Sequence, residues 1–165
     1  MNFKEQILLT LYFSPENQSN ITRLMKLLFL FEEIFDLKDR KGFWGWFAGG
    51  KDAFLKIPAK IKKIEKAPSA YDLVVIGTPI WAMTISPAIR TYLSQNAEKL
   101  KRVAFFCTKG GTSSKGTFDT MEKLCGKPPL AELDIIPGEE ITGVSIHKIV
   151  NFITEIKRSI KSIDV

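Results

Sequence analysis

The stretch Tyr71–Arg90, YDLVVIGTPIWAMTISPAIR, decides how the rest of the chain is read. It opens with a short apolar run, Leu73 to Ile76, rich in β-branched residues and closed by Gly77. A run without polar alternation is the mark of a strand buried on both faces, as a parallel sheet requires. Thr78-Pro79 is expected to end the strand, because proline has no N–H for a ladder and pushes the preceding residue into extended geometry. Beyond the turn stand one large aromatic, Trp81, and a second proline, Pro87, at the expected first turn of a helix. A loop at the carboxyl end of a central strand is where open α/β sheets bind ligands.

Composition bounds what such a loop can serve. The 165 residues suffice for one domain, 1–165, with a substantial core. A hydrophobic fraction of 45% and a charged fraction of 25% are ordinary for a globular protein. No run reaches the roughly 18 apolar residues of a membrane span. Leu24 to Phe31 comes nearest, and Lys26, Glu32 and Glu33 bound it. The N-terminus carries Lys4 and Glu5 and lacks a charged-then-apolar export signal, so a cytoplasmic chain is expected. Two cysteines, Cys107 and Cys125, are too few for a disulfide scaffold or a zinc site, and no metal is expected. The net charge of +6 is spread along the chain and fits either attraction to anionic partners or plain solvation. Lys51 to Lys66 reads as a basic helical face around Leu55, Ile57, Ile61 and Ile64, broken by Pro58. It lacks the arginines and stacking aromatics of a nucleic-acid footprint.

In chain order, Ile7 to Phe13 reads as a second buried strand running into Ser14–Asn20, a cluster of turn and cap residues. Ser19 or Asn20 caps a helix over Ile21 to Leu28. Strand, polar loop and helix in that order present backbone N–H groups to an anion, although a plain cap accounts for the same spacing. A further strand is expected across Phe31 to Asp36. Gly42 to Phe54 holds two tryptophans, three phenylalanines and four glycines. It is either an amphipathic connection packing its rings on the sheet or a binding surface or lid. A helix follows over Ala88 to Leu93, then a strand over Arg102 to Phe106 that ends at Cys107–Ser113. The adjacent Gly110 and Gly111 let backbone approach a ligand there. Thr117 is expected to cap a helix to Leu124, with Gly126-Lys127-Pro128-Pro129 as its breaker. Leu130 to Ile136 supplies the last strand and Ile146 to Ile160 the last helix. Strands alternating with helices predict a doubly wound parallel α/β sheet.

The residues YDLVVIGTPIWAMTISPAIRTYL followed by KRVAFFCTKGG resemble the small flavodoxin-like proteins that bind FMN, closely so from about Lys38 to Gly126. The resemblance implies a five-stranded parallel sheet in the order 2-1-3-4-5, with flavin held at the carboxyl ends of strands 1, 3 and 4. Thr78, Pro79, Ile80, Trp81, Ala82 and Met83 would then border one side of the isoalloxazine, and Thr108, Lys109, Gly110 and Gly111 the other. An indole offers a flat apolar face for stacking, and glycine-flanked N–H groups can donate to the ring's pyrimidine side. The resemblance further implies electron transfer or NAD(P)H-linked flavin or quinone reduction. The partner would be a redox protein or a small-molecule acceptor, with a homodimer left open, and neither nucleic acid nor membrane is expected.

The first loop departs from the family. Where members carry a Ser/Thr–x–Thr–Gly–x–Thr run around the FMN phosphate, this chain has Ser14-Pro15-Glu16-Asn17-Gln18-Ser19. Ser14 and Ser19 keep the outer hydroxyls, and Asn17 replaces glycine with a residue that tolerates left-handed angles. Glu16 sets a carboxylate where a dianion belongs, at a cost on the order of 1–4 kcal/mol at intermediate dielectric, and Pro15 removes a donor. An alternative reading follows, a flavodoxin fold that has lost tight FMN binding and serves as a non-enzymatic partner domain. No catalytic residue is assigned: the single histidine, His147, reads as surface, there is no G-x-S-x-G, and Cys107 reads as a small buried residue.

Overall fold

The computed structural model describes residues 7–11, 30–34, 36–37, 42–111, 113–136 and 143–163. The strands are β1 (Ile7–Leu11), β2 (Leu30–Glu33), β3 (Leu73–Trp81), β4 (Thr84–Ile85), β5 (Val103–Thr108) and β6 (Glu132–Ile135). The helices are α1 (Gly42–Phe54), α2 (Pro87–Asn96), α3 (Lys115–Cys125) and α4 (Gly143–Ile163). Among the described residues no helix is long and apolar enough to cross a membrane.

Apolar runs in the two central strands are buried on both sides, and the helices sort accordingly. Val74 and Ile76 of β3 and Val103 and Phe105 of β5 pack with Ile89, Tyr92 and Leu93 of α2 and Phe118 and Met121 of α3. The alternate residues Leu73, Val75, Ala104 and Phe106 pack on the other face with Ile149, Phe152, Ile156 and Ile160 of α4. Each such side chain contributes about 1.5–3 kcal/mol when fully buried, so β3 and β5 are the axis of the core.

The sheet path runs β2-β1-β3-β5-β6, with every neighbour on it parallel. The expected five-stranded, all-parallel sheet is corrected to a mixed sheet of six strands, because β4 pairs antiparallel with the end of β3. The same pairing corrects the expectation that β3 stops at Thr78-Pro79. Pro79 falls at the last register position of the β5 ladder, opposite Thr108, where a missing N–H interrupts nothing beyond it. The strand then continues by changing partner: Ile80 lies opposite Ile85, and Trp81 opposite Thr84.

Other boundaries shift for local reasons. β5 carries on through Cys107 and Thr108 because both still have partners in β3 and β6. The last strand is shorter than Leu130 to Ile136, and β2 ends at Glu33 rather than at Asp36, which forms an isolated bridge with Ile61. The helix expected from a Thr117 cap begins at Lys115, and Thr117 is buried inside it. The last helix is longer than Ile146 to Ile160 at both ends. The basic helix expected across Lys51–Lys66 is not one: α1 ends at Phe54, and an irregular segment follows. The aromatic segment Gly42–Phe54 is itself α1. The residues Ser14–Asn20, the expected helix over Ile21–Leu28, and Tyr12 and Phe13, expected to extend the first strand, lie outside the described residues.

The stop of α1 is a Schellman closure. Ile57 N–H donates to the Asp52 carbonyl at 2.8 Å and Lys56 N–H to that of Ala53 at 3.1 Å, with Lys56 in the left-handed region at φ 57°. Glycine is the usual residue there, because a Cβ costs energy at positive φ. Lys56 is exposed, so Lys56→Gly is expected to raise stability by roughly 0.5–1 kcal/mol in urea denaturation. A lower midpoint would mean that the lysine side chain holds the turn.

Candidate functional site

The end of β3 folds into a two-residue hairpin. Ala82 and Met83 connect Trp81 to Thr84 with φ of 47° and 61°. Two positive φ values in succession are the type I′ geometry that suits the right-handed twist of a ribbon, and it favours Asn and Gly. Neither residue is glycine, so each carries on the order of 1–2 kcal/mol of steric cost. Strain of this kind persists where the surroundings over-determine the backbone, and it clusters at ligand sites. Met83, at the tip, is 70% exposed.

The hairpin is fixed from below by Thr78. Its buried hydroxyl accepts from the Ser86 N–H at 3.1 Å and donates to the part-buried Pro79 carbonyl at 3.0 Å. Ser86 in turn caps α2, its Oγ accepting from the Ile89 N–H at 3.4 Å, with Pro87 in the first turn as its sequence implies. The Thr78 hydroxyl is therefore committed to the scaffold rather than turned to a ligand. Trp81 is half-buried and packs against helix α1: a Cβ at Gly49 would come within 2.6 Å of its Cζ3. Only glycine at position 49 lets the helix and the indole meet this closely.

Register brings the second loop beside the first, since Thr78 and Pro79 lie opposite Cys107 and Thr108. Lys109 turns away from the hairpin. Its N–H donates to the Ile135 carbonyl at 2.9 Å, and its ammonium to Asp134 Oδ2 at 2.6 Å. The Ser114 hydroxyl donates to the same oxygen at 2.6 Å, and Lys148 Nζ stands 3.6 Å from Oδ1. Burial pushes the Asp134 carboxyl up, but the hydrogen bonds from Lys109 and Ser114 and the charges of Lys109 and Lys148 hold it below the usual carboxylate range. Gly110 and Gly111 are both exposed with open space around them, and Gly111 takes φ 102°. Cys107 is buried. Desolvation first, then the Asp134 charge, push its thiol up to about 12, with Lys109 opposing, so it is a protonated structural group and not a nucleophile.

Sequence reasoning thus grouped Thr78–Met83 and Thr108–Gly111, and the register sets the two loops side by side. It expected Thr78 and Lys109 to border a ligand; their side chains bond within the scaffold, Thr78 to Ser86 and Pro79 and Lys109 to Asp134. It missed Gly49, Asp134 and Arg90; a glycine pair in an aromatic helix and an arginine just after a Ser-Pro cap are the only local signals. Arg90 is buried, and its Nη2 donates to the Thr84 hydroxyl at 3.2 Å, under the hairpin. His147 is exposed on α4. Ser14, Asn17 and Ser19 lie outside the described residues. A cleft of about 410 Å³ lies beyond the Lys109–Asp134 pair, lined by Ser114, Phe118, Glu132, Lys148 and Phe152 among others. None of the residues of the two loops named above lines it.

A mixed α/β sheet whose main path is parallel and in this order, with two loops side by side at its carboxyl end, defines a flavodoxin-like protein. Residues 51–153 match the Flavodoxin family model, and the chain belongs to that family. No curated protein matches it. Among solved structures it is similar to a flavoprotein of Lactobacillus acidophilus in complex with FMN, at 19% identity and TM-score 0.62, over 79% of this chain and 93% of that one. The apo-form of the Lactobacillus flavoprotein, solved by NMR, aligns at 19% identity and TM-score 0.53, over 85% and 97%. The Trp repressor binding protein of Bacillus subtilis aligns at 9% identity and TM-score 0.50, over 92% and 98%. At such identities the likeness is one of fold.

The Asp134 cluster gives a pH-dependent expectation. Its folded pKa lies below the unfolded value of about 4, so its contribution is present above that value and is lost as pH falls through the folded pKa. Asp134→Asn is expected to lower stability by about 1–2 kcal/mol at pH 7. Denaturation curves of the two proteins should converge as pH falls below about 4.

Proposed function

We propose that the chain binds FMN and uses it in electron transfer or in NAD(P)H-linked reduction of a flavin or quinone. The observation that carries this reading is the family match over residues 51–153, which takes in both Thr78–Met83 and Thr108–Gly111. The Lactobacillus flavoprotein of similar fold, a complex with FMN, supports it. The donor set fits a planar, hydrogen-bonding ring. Trp81 supplies an aromatic surface beside the strained hairpin, and among the described residues the N–H groups of Gly110 and Gly111 make no backbone hydrogen bond. In this reading Pro79, Ile80, Trp81, Ala82 and Met83 border one side of the ring. Thr108, Gly110 and Gly111 border the other, with Thr78 and Lys109 holding the two loops in shape, and Ser14, Asn17 and Ser19 serve the phosphate.

When bound, FMN supplies one- or two-electron chemistry, and the protein's part is orientation and local charge. With a net charge of +6, the protein partner, if there is one, is acidic; otherwise the acceptor is a small molecule. No nucleic-acid or membrane role enters the proposal, and cytoplasmic placement and a homodimer stay within it. A second reading, a flavodoxin fold without tight FMN binding, is favoured by Pro15 and Glu16 in the phosphate loop.

Purified protein separates the two. The first reading expects yellow protein, or quenching of FMN fluorescence on titration, and no quenching at tens of micromolar FMN eliminates it. Trp81→Ala is expected to weaken FMN binding by about 1–3 kcal/mol, roughly 5- to 150-fold. Unchanged affinity would remove the indole from the site, and a thermal melt of the apo-variant controls for the lost packing on Gly49.

A further inference from the structure

Arg90 sits in a setting that a folded chain does not maintain without cause. The residue is 8% exposed, and among the described residues its guanidinium makes one hydrogen bond, to a neutral acceptor, the Thr84 hydroxyl. Among the described residues its buried Nε has no partner and no carboxylate lies within ion-pair distance. Burial lowers its pKa, yet a guanidinium stays charged in proteins. It belongs to the first turns of α2, and reaching back to Thr84 brings its cation toward the helix's positive end, where the macrodipole opposes it. Lys109, the cation of the second loop, is neutralised by Asp134. A buried cation with no carboxylate costs stability unless something anionic meets it.

Thr84 is the cross-strand partner of Trp81 in the strained hairpin. We propose that Arg90, with Thr84 and the N-terminal turn of α2, forms an anion subsite that holds the negative charge a bound flavin gains on reduction, and that Arg90 thereby sets the site's reduction potential. The proposal rests on the FMN reading above. Two electrons and one proton, delivered by a reductant such as a reduced nicotinamide, convert the neutral oxidised ring into an anion. A fixed cation at the ring loop therefore binds the reduced form more tightly than the oxidised form and favours two-electron chemistry. The phosphate is a poorer candidate for this charge, because the FMN reading assigns its anchor to Ser14, Asn17 and Ser19 and not to the hairpin.

The test measures FMN and riboflavin affinities by fluorescence titration, the two-electron potential by equilibration with a reference dye, and the melting temperature of the apo-protein. Wild type, Arg90→Met and Arg90→Lys are compared. Arg90→Met is expected to bind reduced FMN about tenfold more weakly relative to oxidised FMN, a fall of about 30 mV. Arg90→Lys should retain most of the wild-type potential. The apo melting temperature of Arg90→Met should hold or rise, because a buried charge with no carboxylate among the described residues has been replaced by an apolar side chain of similar length. An unchanged potential in Arg90→Met overturns the proposal, and with a lowered melting temperature it makes Arg90 a structural residue. A loss of FMN affinity with riboflavin affinity intact also overturns it, by assigning the charge to phosphate. If wild-type protein quenches no FMN fluorescence, the FMN reading itself fails, and this is seen before any variant is made.

Discussion

The pairing of β3 with β5 is the constraint from which the site follows. It sets Thr78 and Pro79 against Cys107 and Thr108, so two loops distant in sequence leave the sheet as neighbours. The pairing holds because both strands are buried on two faces, between α2 and α3 on one side and α4 on the other. A slip of one residue would exchange the two faces of β3 and move every core side chain to the wrong layer. Core packing and loop placement are thus a single requirement, met by the same few β-branched and aromatic residues.

Polar interactions then decide which side chains face outward. Thr78 and Lys109 each have the chemistry to touch a ligand, yet each is drawn into the scaffold. Thr78 ties the base of the hairpin to the cap of α2, and Lys109 ties the second loop to the edge strand through Asp134. What remains toward solvent is backbone and an indole, a surface that recognises shape and hydrogen-bonding edges more than charge. Arg90 is the exception, a cation without its own carboxylate among the described residues.

The sequence was legible where short-range rules coincide with the fold. Leu73–Ile76 as a doubly buried strand, Pro87 in the first turn of a helix and Gly126 as a helix breaker needed no tertiary information. It was misleading where a tertiary partner overrides a local preference. Pro79 reads as a strand terminator, but β4 gives Ile80 and Trp81 a new ladder, and no periodicity announces a two-residue strand across Ala82-Met83. Thr117 reads as a cap, but its place in α3 is set by the burial of Phe118 and Met121. Long-range pairs such as Lys109 with Asp134 leave no trace in spacing, so the scaffold bonds of Thr78 and Lys109 could not be read from the sequence.

The contact between Gly49 and Trp81 carries one more implication. With 2.6 Å between the ring and any Cβ built at position 49, the helix surface at that point acts as a mould for the indole. The orientation of the tryptophan is thus set by an element outside both loops. Helix α1 is in this sense a backing plate, and the flat side of the site can be retuned from behind. A substitution there would leave every loop residue in place and still tilt the surface on which a planar ligand rests.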